Sequence, residues 1–259
     1  MPYAELDRII KNARNIVFFG GAGVSTESGI PDFRSADGLY SQTYKYPPET
    51  MLSHYFFMSE PEEFFKFYID KMLYLDARPN PCHIKLAELE DQGLLKAVVT
   101  QNIDGLHQTA GSKNVLEVHG SVHRNFCMKC GRRYGVDKIV QNRLETHTLN
   151  AAPKTHKKSE ARTYTPLCDC GGIIKPDVVL YGEAPDMDTM SRSAAHMRAA
   201  DVLIIGGTSL GVYPAAGLCA YFNGDDMVLI NKTPTPYDDE ASLIIRGNIG
   251  EVFAGINKR

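Results

Sequence analysis

The sequence predicts an α/β protein built on a doubly wound, Rossmann-like parallel sheet. Four short apolar runs, bounded by glycine or polar residues, have the continuous hydrophobicity of strands buried on both faces: 16–19, 96–100, 201–205 and 227–231. Helical periodicity lies before and between these runs, at about 4–14, 61–75, 81–92, 186–200 and 213–222. Strands that alternate with helices indicate βαβ units, which build a parallel sheet. The 259 residues, 43% of them apolar, are enough for one large domain with a sizeable core.

Two segments interrupt the alternation of strands and helices. Residues 33–80 are rich in aromatic side chains, several at helical spacing, and predict a small helical lobe. Residues 121–176 predict an inserted small module, in which the polar, basic stretch 141–165 is a loop or mobile arm. We expect 1–259 to form one domain, whose Rossmann-like lobe comprises 1–32, 81–120 and 177–259. The aromatic residues expected mostly in the core of the helical lobe are Tyr44, Tyr46, Tyr55, Phe56, Phe57, Phe64, Phe65, Phe67 and Tyr68.

Composition and charge narrow the class of protein. No run approaches the ~20 apolar residues of a membrane span, and the mixed, acidic start lacks a secretory pattern, so we expect a cytoplasmic protein. The net charge of -3 hides a basic segment, 121–176, in an otherwise acidic chain. That segment is either an ordinary solvated surface or a site for an anionic partner such as nucleic acid. Beyond Tyr134 and Tyr164 it lacks aromatic residues for base stacking, which makes nucleic acid a poor fit.

Four of the six cysteines form two close pairs, Cys127 with Cys130 and Cys168 with Cys170. Zinc takes four tetrahedral ligands, and two close pairs on two turns supply them. Glycine follows each pair, as knuckle turns require, and four thiolates leave no open coordination position. The pattern therefore predicts one structural zinc ion. The single-residue gap in the second pair is tighter than usual, which leaves redox-active or free thiols as the alternative.

Glycine or small polar residues follow each of the four predicted strands, at 20–26, 101–105, 206–210 and 231–233. In an open α/β sheet, ligands bind outside the carboxyl ends of the strands. Glycine lets the backbone approach a phosphate, and a following helix N-terminus favours negative charge. One such end would be a structural turn, but four together predict a nucleotide site.

The first of these turns departs from the dinucleotide fingerprint, because Thr26 stands where the third glycine is expected. The acidic residue expected about 20 residues further on, for a ribose hydroxyl, is not evident. Both departures argue against an ordinary hydride-transfer dehydrogenase.

Several motifs resemble those of the sirtuins, the NAD-dependent protein deacylases. They are GAGVS at 21–25 continuing to SGIPDFR at 28–34, TQNIDGLH at 100–107, VHG at 118–120, KPDVV at 175–179 with YGE at 181–183, and GTSL at 207–210. The motifs occur in the family's order and, with the residues matched at the C-terminal end, span 20–249. The chain is thus identified as a member of bacterial, single-domain type. Membership implies transfer of the acyl group of acyl-lysine to ADP-ribose, with release of nicotinamide.

The resemblance also implies roles for individual residues. The NAD pyrophosphate and nicotinamide ribose are lined by Ala22, Thr26, Phe33 and Arg34. The nicotinamide and its ribose are implied to be bound by Gln101, Asn102, Ile103 and Asp104. The adenosine half of NAD is implied to be held by Thr208, Ser209, Asn231 and Ile249. The cofactor-binding set further includes Gly21, Gly23, His119, Gly207 and Lys232. A peptide substrate adds as a strand beside Val178, Val179, Gly182, Glu183, Gly211 and Val212.

His119 is implied as the catalytic base, with Asn102 and Asp104 as further catalytic residues. A histidine suits a base that takes a ribose hydroxyl proton, because its pKa lies near the working pH. The guanidinium of Arg34 can fork onto phosphate oxygens. Without the resemblance, His119 is one of eight histidines and a structural role would be the better interpretation, as it is for His107 and His123.

Other functions stay open on the sequence. A protein ADP-ribosyltransferase could use the same site, although an intact His119 favours deacylation. A non-catalytic zinc and nucleic-acid binding module would rest on the basic insert alone. Segment 176–183, whose apolar run is strand-like, could be an ordinary buried strand rather than a peptide-docking one.

Acyl-chain preference is predicted from one pair in the predicted helical segment 61–75. Sirtuins that prefer acidic acyl groups resemble one another in a Tyr-x-x-Arg pair, and the matching residues here are Tyr68 and Lys71. Lysine cannot fork onto a carboxylate as arginine does, and Asp70 beside it adds a competing negative charge. We therefore expect acetyl-lysine to be preferred over succinyl-lysine.

Overall fold

The computed structural model describes residues 2–33, 35, 38–141 and 164–256 and divides the chain into two compact units. Unit 1 is Met1–Ser41, Asp76–His119 and Pro185–Arg259, and unit 2 is Gln42–Leu75 and Gly120–Ala184. Arg34 and nearly all of the basic stretch 141–165 lie outside the described residues.

The strands are β1 (Ile16–Gly20), β2 (Leu95–Thr100), β3 (Val115–Glu117), β4 (Gly120–Cys127), β5 (Arg133–Tyr134), β6 (Ile174–Val178), β7 (Val202–Gly206), β8 (Asp226–Ile230) and β9 (Leu243–Ile245). The α-helices with described bounds are α1 (Pro2–Asn12), α2 (Pro48–Met51), α3 (His54–Ser59), α4 (Pro61–Lys71), α5 (Pro81–Asp91), α6 (Leu106–Thr109), α7 (Met187–Ala199) and α8 (Ile249–Ala254). Among the described helices, none is both long and apolar enough to cross a bilayer.

Unit 1 contains a six-stranded sheet in the order β3-β2-β1-β7-β8-β9, with every neighbouring pair parallel. The chain leaves β1 toward one edge through β2 and β3, then returns to the other side of β1 through β7. The carboxyl ends of β1 and β7 therefore lie at the topological switch point, where doubly wound sheets bind ligands. The predicted Rossmann-like fold is confirmed.

Period-two alternation along β1 explains why its apolar run is continuous. Ile16 and Phe18 belong to one buried core and Val17 and Phe19 to a second, because successive side chains point to opposite faces of the sheet. The first core includes side chains of α1, α5 and α8. The second includes side chains of α7 and of residues 215–219. Burial on both faces requires the apolar continuity that the sequence displays.

The predicted strands and most predicted helices of unit 1 are present within a few residues, but the helix expected at 213–222 is wrong. The chain forms a 3-10 helix there, Ala215–Tyr221, directly after Pro214. Proline cannot donate a helical hydrogen bond and Gly217 favours non-helical backbone, so the local preference for an α-helix is weak. The three-residue strands β3 and β9 are too short to give a periodic signal.

Unit 2 contains a three-stranded antiparallel sheet in the order β5-β4-β6. Its helices α3 and α4 pack aromatic rings together, with Phe64 edge-on to Phe57 and Phe65 at centroid distances of 5.0 and 5.2 Å. Six of the nine predicted core aromatics are buried, whereas Tyr55 is 80% exposed. A strand is expected over 176–183, but β6 ends at Val178, so only the first three of these residues are in it.

Candidate active site

The loops after β1 and β7 touch at the switch point of the sheet. The Gly23 N–H donates to the Gly207 carbonyl at 2.8 Å, and the Gly21 N–H donates to the Gly206 carbonyl at 3.2 Å. A Cβ on Gly23 would lie 2.8 Å from the Gly207 Cα. Gly207 has a φ of +58°, and a Cβ there would collide with the Val24 amide. Glycine at 23 and 207 is therefore required for this approach of the two backbones.

A hydrogen-bonded triad of two buried residues and the half-buried Asp104 joins the first loop to the loop after β2. Ser25 Oγ donates to Asp104 Oδ2 at 2.6 Å and accepts from Asn102 Nδ2 at 3.0 Å. Asp104 Oδ1 also accepts from the Leu106 amide at 2.9 Å, at the start of α6. Ser25 is 1% exposed and Asn102 is 9% exposed. Ser25 lies inside the first motif but was not predicted as a site residue.

Gln101 links the loops after β2 and β7 and fixes His119. Its side-chain amide donates to Thr208 Oγ1 at 3.0 Å. Its backbone carbonyl oxygen lies 3.2 Å from His119 Nδ1. Because a carbonyl can only accept, His119 Nδ1 carries the proton, and in the neutral ring the lone pair is on Nε2. Burial lowers the pKa of His119, and the hydrogen bond to Gln101 opposes part of that shift. A neutral imidazole with an available lone pair is the state that a general base needs.

Two buried histidines lie behind these loops. Asn80 caps α5 and donates through Nδ2 to the Val24 carbonyl at 2.7 Å and to Ser28 Oγ at 3.0 Å. His83 shares the reciprocal capping contact with Asn80, and its ring centroid lies 4.7 Å from that of His107 in α6. The Asn-Pro start of a helix was available in the sequence as a capping signal, but the contact to the first loop was not.

The C-terminal helix α8 is tied to the first loop by Glu27. The Gly250 amide donates to Glu27 Oε2 at 2.6 Å, and a Cβ on Gly250 would lie 2.8 Å from that carboxylate. The neighbouring Ile249, a predicted adenosine contact, is 3% exposed and packs in the first core. Glu27 therefore holds α8 against the loop that follows β1.

The loop after β8 is held by Arg246 and Asp238, which form an ion pair. The Arg246 guanidinium also donates to the carbonyls of Asn231 and Thr233, at 3.4 and 3.1 Å. Lys232, another predicted cofactor residue, is exposed. Asn231 and Lys232 are predicted cofactor contacts, whereas Arg246 and Asp238, which hold their loop, were not predicted from the sequence.

The remaining predicted cofactor residues of unit 1 differ in their surroundings. Thr26 Oγ1 donates to the Gly23 carbonyl at 3.0 Å, so its hydroxyl closes the first turn. Phe33 lies edge-on to Tyr40 with ring centroids 5.6 Å apart. Ala22 and Ile103 are half-buried, and Ser209 is exposed.

In unit 2 the four predicted zinc ligands form one cluster, with all four Sγ atoms within 4.8 Å of one another. The Cys127–Cys170 and Cys130–Cys168 sulfur pairs are 3.4 and 3.6 Å apart. Tetrahedral zinc with Zn–S bonds of about 2.3 Å places its sulfurs about 3.8 Å apart, so the cluster fits that ion.

Two glycine turns present these thiols. Gly131 and Gly171 have φ of +72° and +79°, and their amides donate to the carbonyls of Cys127 and Cys168 at 2.9 and 2.8 Å. The tight second pair thus still forms a knuckle. Four protein ligands define a structural zinc site.

The predicted peptide-binding residues belong to both units and are described separately. In unit 2, the segment after β6 is held by backbone bonds from the Tyr181 amide to the Leu52 carbonyl at 3.0 Å and from the His54 amide to the Tyr181 carbonyl at 2.9 Å. Val179 is half-buried and Gly182 is exposed. In unit 1, Gly211 is exposed and Val212 is half-buried.

Comparison with known proteins gives the family. The Sir2 family model matches residues 21–214. A protein of Clostridium acetobutylicum named NAD-dependent protein deacetylase is 54% identical over 252 residues, which are 96% of this chain and 95% of that protein. A protein of the same name from Cutibacterium acnes is 44% identical over all of this chain and 98% of that protein.

Two solved structures resemble the chain over nearly its full length. A Sir2 structure with p53 peptide and NAD+ has a TM-score of 0.81 and 37% identity, covering 98% of this chain and 96% of that one. A Sir2 structure bound to acetylated peptide has a TM-score of 0.82 and 35% identity, with the same coverage. This chain belongs to the Sir2 family. The sheet, its switch-point loops and the four-cysteine cluster are those of a protein that uses NAD and a structural zinc ion.

Proposed function

We propose that the protein is an NAD-dependent deacetylase that removes acetyl groups from lysine side chains of proteins or peptides. NAD supplies the ribose that accepts the acetyl group and the nicotinamide that leaves. The observation that carries the proposal is the hydrogen bond between His119 Nδ1 and the Gln101 carbonyl, which leaves the imidazole lone pair on Nε2. The names of its full-length relatives support the same activity.

The residues around the switch point have distinct tasks in this proposal. Gly21, Gly23 and Gly207 let the backbone approach the pyrophosphate. Gln101, Asn102 and Asp104 hold the nicotinamide end, with Asp104 oriented by Ser25. His119 Nε2 takes the proton of a ribose hydroxyl, which is the task of a general base. The buried setting that lowers the pKa of His119 keeps the ring neutral for that step.

We assign the peptide substrate to Val178 at the end of β6 and to Val179, Gly182 and Glu183 after it, all in unit 2. The family resemblance also assigns Gly211 and Val212 of unit 1 to the peptide. Pairing through backbone groups would let many peptide sequences bind, because the specificity of an added strand comes only from alternate side-chain pockets. We also propose that the protein acts in the cytoplasm, and that residues 33–80 and 121–176 are insertions into the Rossmann-like lobe.

The test is nicotinamide release from NAD with and without an acetyl-lysine peptide, followed by mass spectrometry. We expect release that depends on the peptide, with equal amounts of deacetylated peptide and O-acetyl-ADP-ribose. ADP-ribose attached to protein, without loss of the acetyl group, would instead identify an ADP-ribosyltransferase. Absence of deacetylated peptide from a zinc-loaded preparation that binds NAD would overturn the proposal.

A further inference from the structure

Lys175 is a buried cation in unit 2 that belongs neither to the zinc cluster nor to any predicted site. Its side chain is 8% exposed, and its ammonium contacts three oxygens. It donates to the Pro176 carbonyl at 3.1 Å and to the Val178 carbonyl at 3.0 Å. It forms an ion pair with Glu183 Oε2 at 3.0 Å. An ammonium has three donors, so this set of partners satisfies it completely.

Glu183 extends the same network to helix α3. Its Oε2 also accepts from the Leu180 amide at 3.0 Å, and its Oε1 accepts from His54 Nδ1 at 2.8 Å. Burial opposes ionisation of Glu183, but its hydrogen bonds to Leu180, His54 and Lys175 outweigh that effect and lower its pKa. Both carboxylate oxygens are thus used inside the chain. This is the pattern of a residue that shapes its own segment.

The network spans the segment that we propose as the peptide-docking strand. It fixes the end of β6 at Val178 and the turn at 180–183, and the backbone bonds of Tyr181 hold the middle of the segment to 52–54. A buried charge that loses its partner is strongly unfavourable, so removing one member should release the others.

We propose that Lys175 is a positioning residue for the peptide substrate, acting through the Val178 carbonyl and the Glu183 carboxylate to hold segment 178–183 in the shape that docks the peptide. The inference rests on the proposed function, because segment 178–183 is assigned to the peptide there. Lys175 itself does not touch the substrate. It contributes by holding the backbone of segment 178–183 in place through the Val178 carbonyl and Glu183.

The test compares Lys175→Met, which keeps most of the apolar part of the side chain and removes the ammonium group, with the wild type. We expect the KM for an acetylated peptide to rise at least ~10-fold, with kcat and the NAD affinity changed less than about 3-fold, because ordering a docking segment affects binding more than chemistry. Lys113→Met is the matched control, since Lys113 is also ion-paired, to Asp91 at 2.7 Å, but is 76% exposed. The control should leave all three values unchanged.

Folding is monitored in the same preparations by zinc content and by NAD binding. A double variant, Lys175→Met with Glu183→Gln, should raise the peptide KM by about as much as Lys175→Met alone, because the two residues act as one unit. If Lys175→Met does not fold, Lys175→Arg is the test: it keeps the charge but cannot place one ammonium on the same three oxygens, and it must raise the peptide KM while kcat changes less than about 3-fold.

An unchanged peptide KM in a folded variant, or a fall in kcat with an unchanged KM, would overturn the positioning role. Failure of the proposed function is a separate result, because it would appear in the wild type as an absence of deacetylated peptide.

Discussion

At the scale of single residues, one hydrogen bond determines which nitrogen of His119 can act as a base. The Gln101 carbonyl holds the proton on Nδ1, so Nε2 keeps the lone pair. We expect His119→Ala to lower the rate of deacetylation by about 10² or more, the usual contribution of general acid–base catalysis. ADP-ribose binding should persist, because the phosphates are assigned to the glycine loops after β1 and β7 and not to His119.

The measurement is steady-state deacetylation beside ADP-ribose binding by calorimetry. His123→Ala is the control, since His123 is exposed and not assigned to the site. Near-normal turnover of His119→Ala would show that another group is the base.

Ser25 is the residue that sequence reasoning passed over and that the structure places at the centre of the site. Ser25→Ala removes the buried hydroxyl that donates to Asp104 and accepts from the Asn102 side-chain amide. That should lower the free energy of unfolding by ~1–3 kcal/mol and weaken NAD binding. Urea unfolding and NAD titration check both effects, with Ser41→Ala as an exposed-hydroxyl control. An unchanged NAD affinity would show that the triad does not contribute to NAD binding.

At the scale of elements, α4 carries the pair from which the acyl preference is predicted, Tyr68 and Lys71. Tyr68 is fully buried and stacks on Phe64, with ring centroids 5.5 Å apart and an interplanar angle of 13°. Lys71 Nζ pairs with Asp70 Oδ2 at 3.0 Å, so its charge is already partly neutralised. We expect acetyl-lysine to be turned over at least ~10-fold more efficiently than succinyl-lysine, equivalent to about 1.4 kcal/mol.

Matched peptides that differ only in the acyl group measure this preference. Lys71→Arg should raise the rate with the succinyl peptide, because arginine can fork onto a carboxylate. Equal turnover of the two peptides by the wild type would contradict the prediction, and an unchanged succinyl rate in Lys71→Arg would show that the pair is misplaced.

The elements that could be predicted from the sequence are those with a strong local signal. Continuous apolar runs predict the buried strands β1, β2, β7 and β8. The two close cysteine pairs predict the zinc site. The 3-10 helix at 215–221 and the short strand β9 were missed because periodicity does not separate a 3-10 from an α-helix and three residues give no periodic signal. The end of β6 at Val178 has no clear breaker in the sequence. Ser25 and Glu27 were missed because their partners Asp104 and Gly250 are far away in the sequence.

At the scale of the whole molecule, the zinc cluster links metal binding to folding. The two cysteine turns are separated by 37 residues in the sequence, and the four thiols come together only in the folded unit. We expect one zinc per chain, and Cys168→Ala to lose it and destabilise the protein, because metal binding contributes folding free energy. Elemental analysis and thermal unfolding test this, with buried Cys219→Ala as the control. A well-folded wild type without zinc would contradict the assignment.

The buried pair His83 and His107 should make the stability of the molecule depend on pH. Burial lowers the pKa of His83 to about 4, although the charge of Asp104 opposes that shift. Burial also lowers the pKa of His107 well below its ordinary value, and the charge of His83 adds to that effect. Both rings are therefore neutral in the folded protein, whereas in the unfolded chain they bind a proton below about pH 6.5.

Because the unfolded chain binds more protons than the folded protein in this range, stability is complete above about pH 6.5 and falls as the pH drops toward 4. For His83 alone the loss across that window is up to ~3 kcal/mol. Urea unfolding at intervals between pH 7.5 and 5.5 measures the slope, above the range in which most carboxylates of the unfolded chain titrate. Replacing His83 or His107 with glutamine, which has no proton to gain, should flatten the curve, while exposed His123→Gln should leave it unchanged. A slope that is the same in all three variants and the wild type would show that the buried pair is not the source of the acid sensitivity.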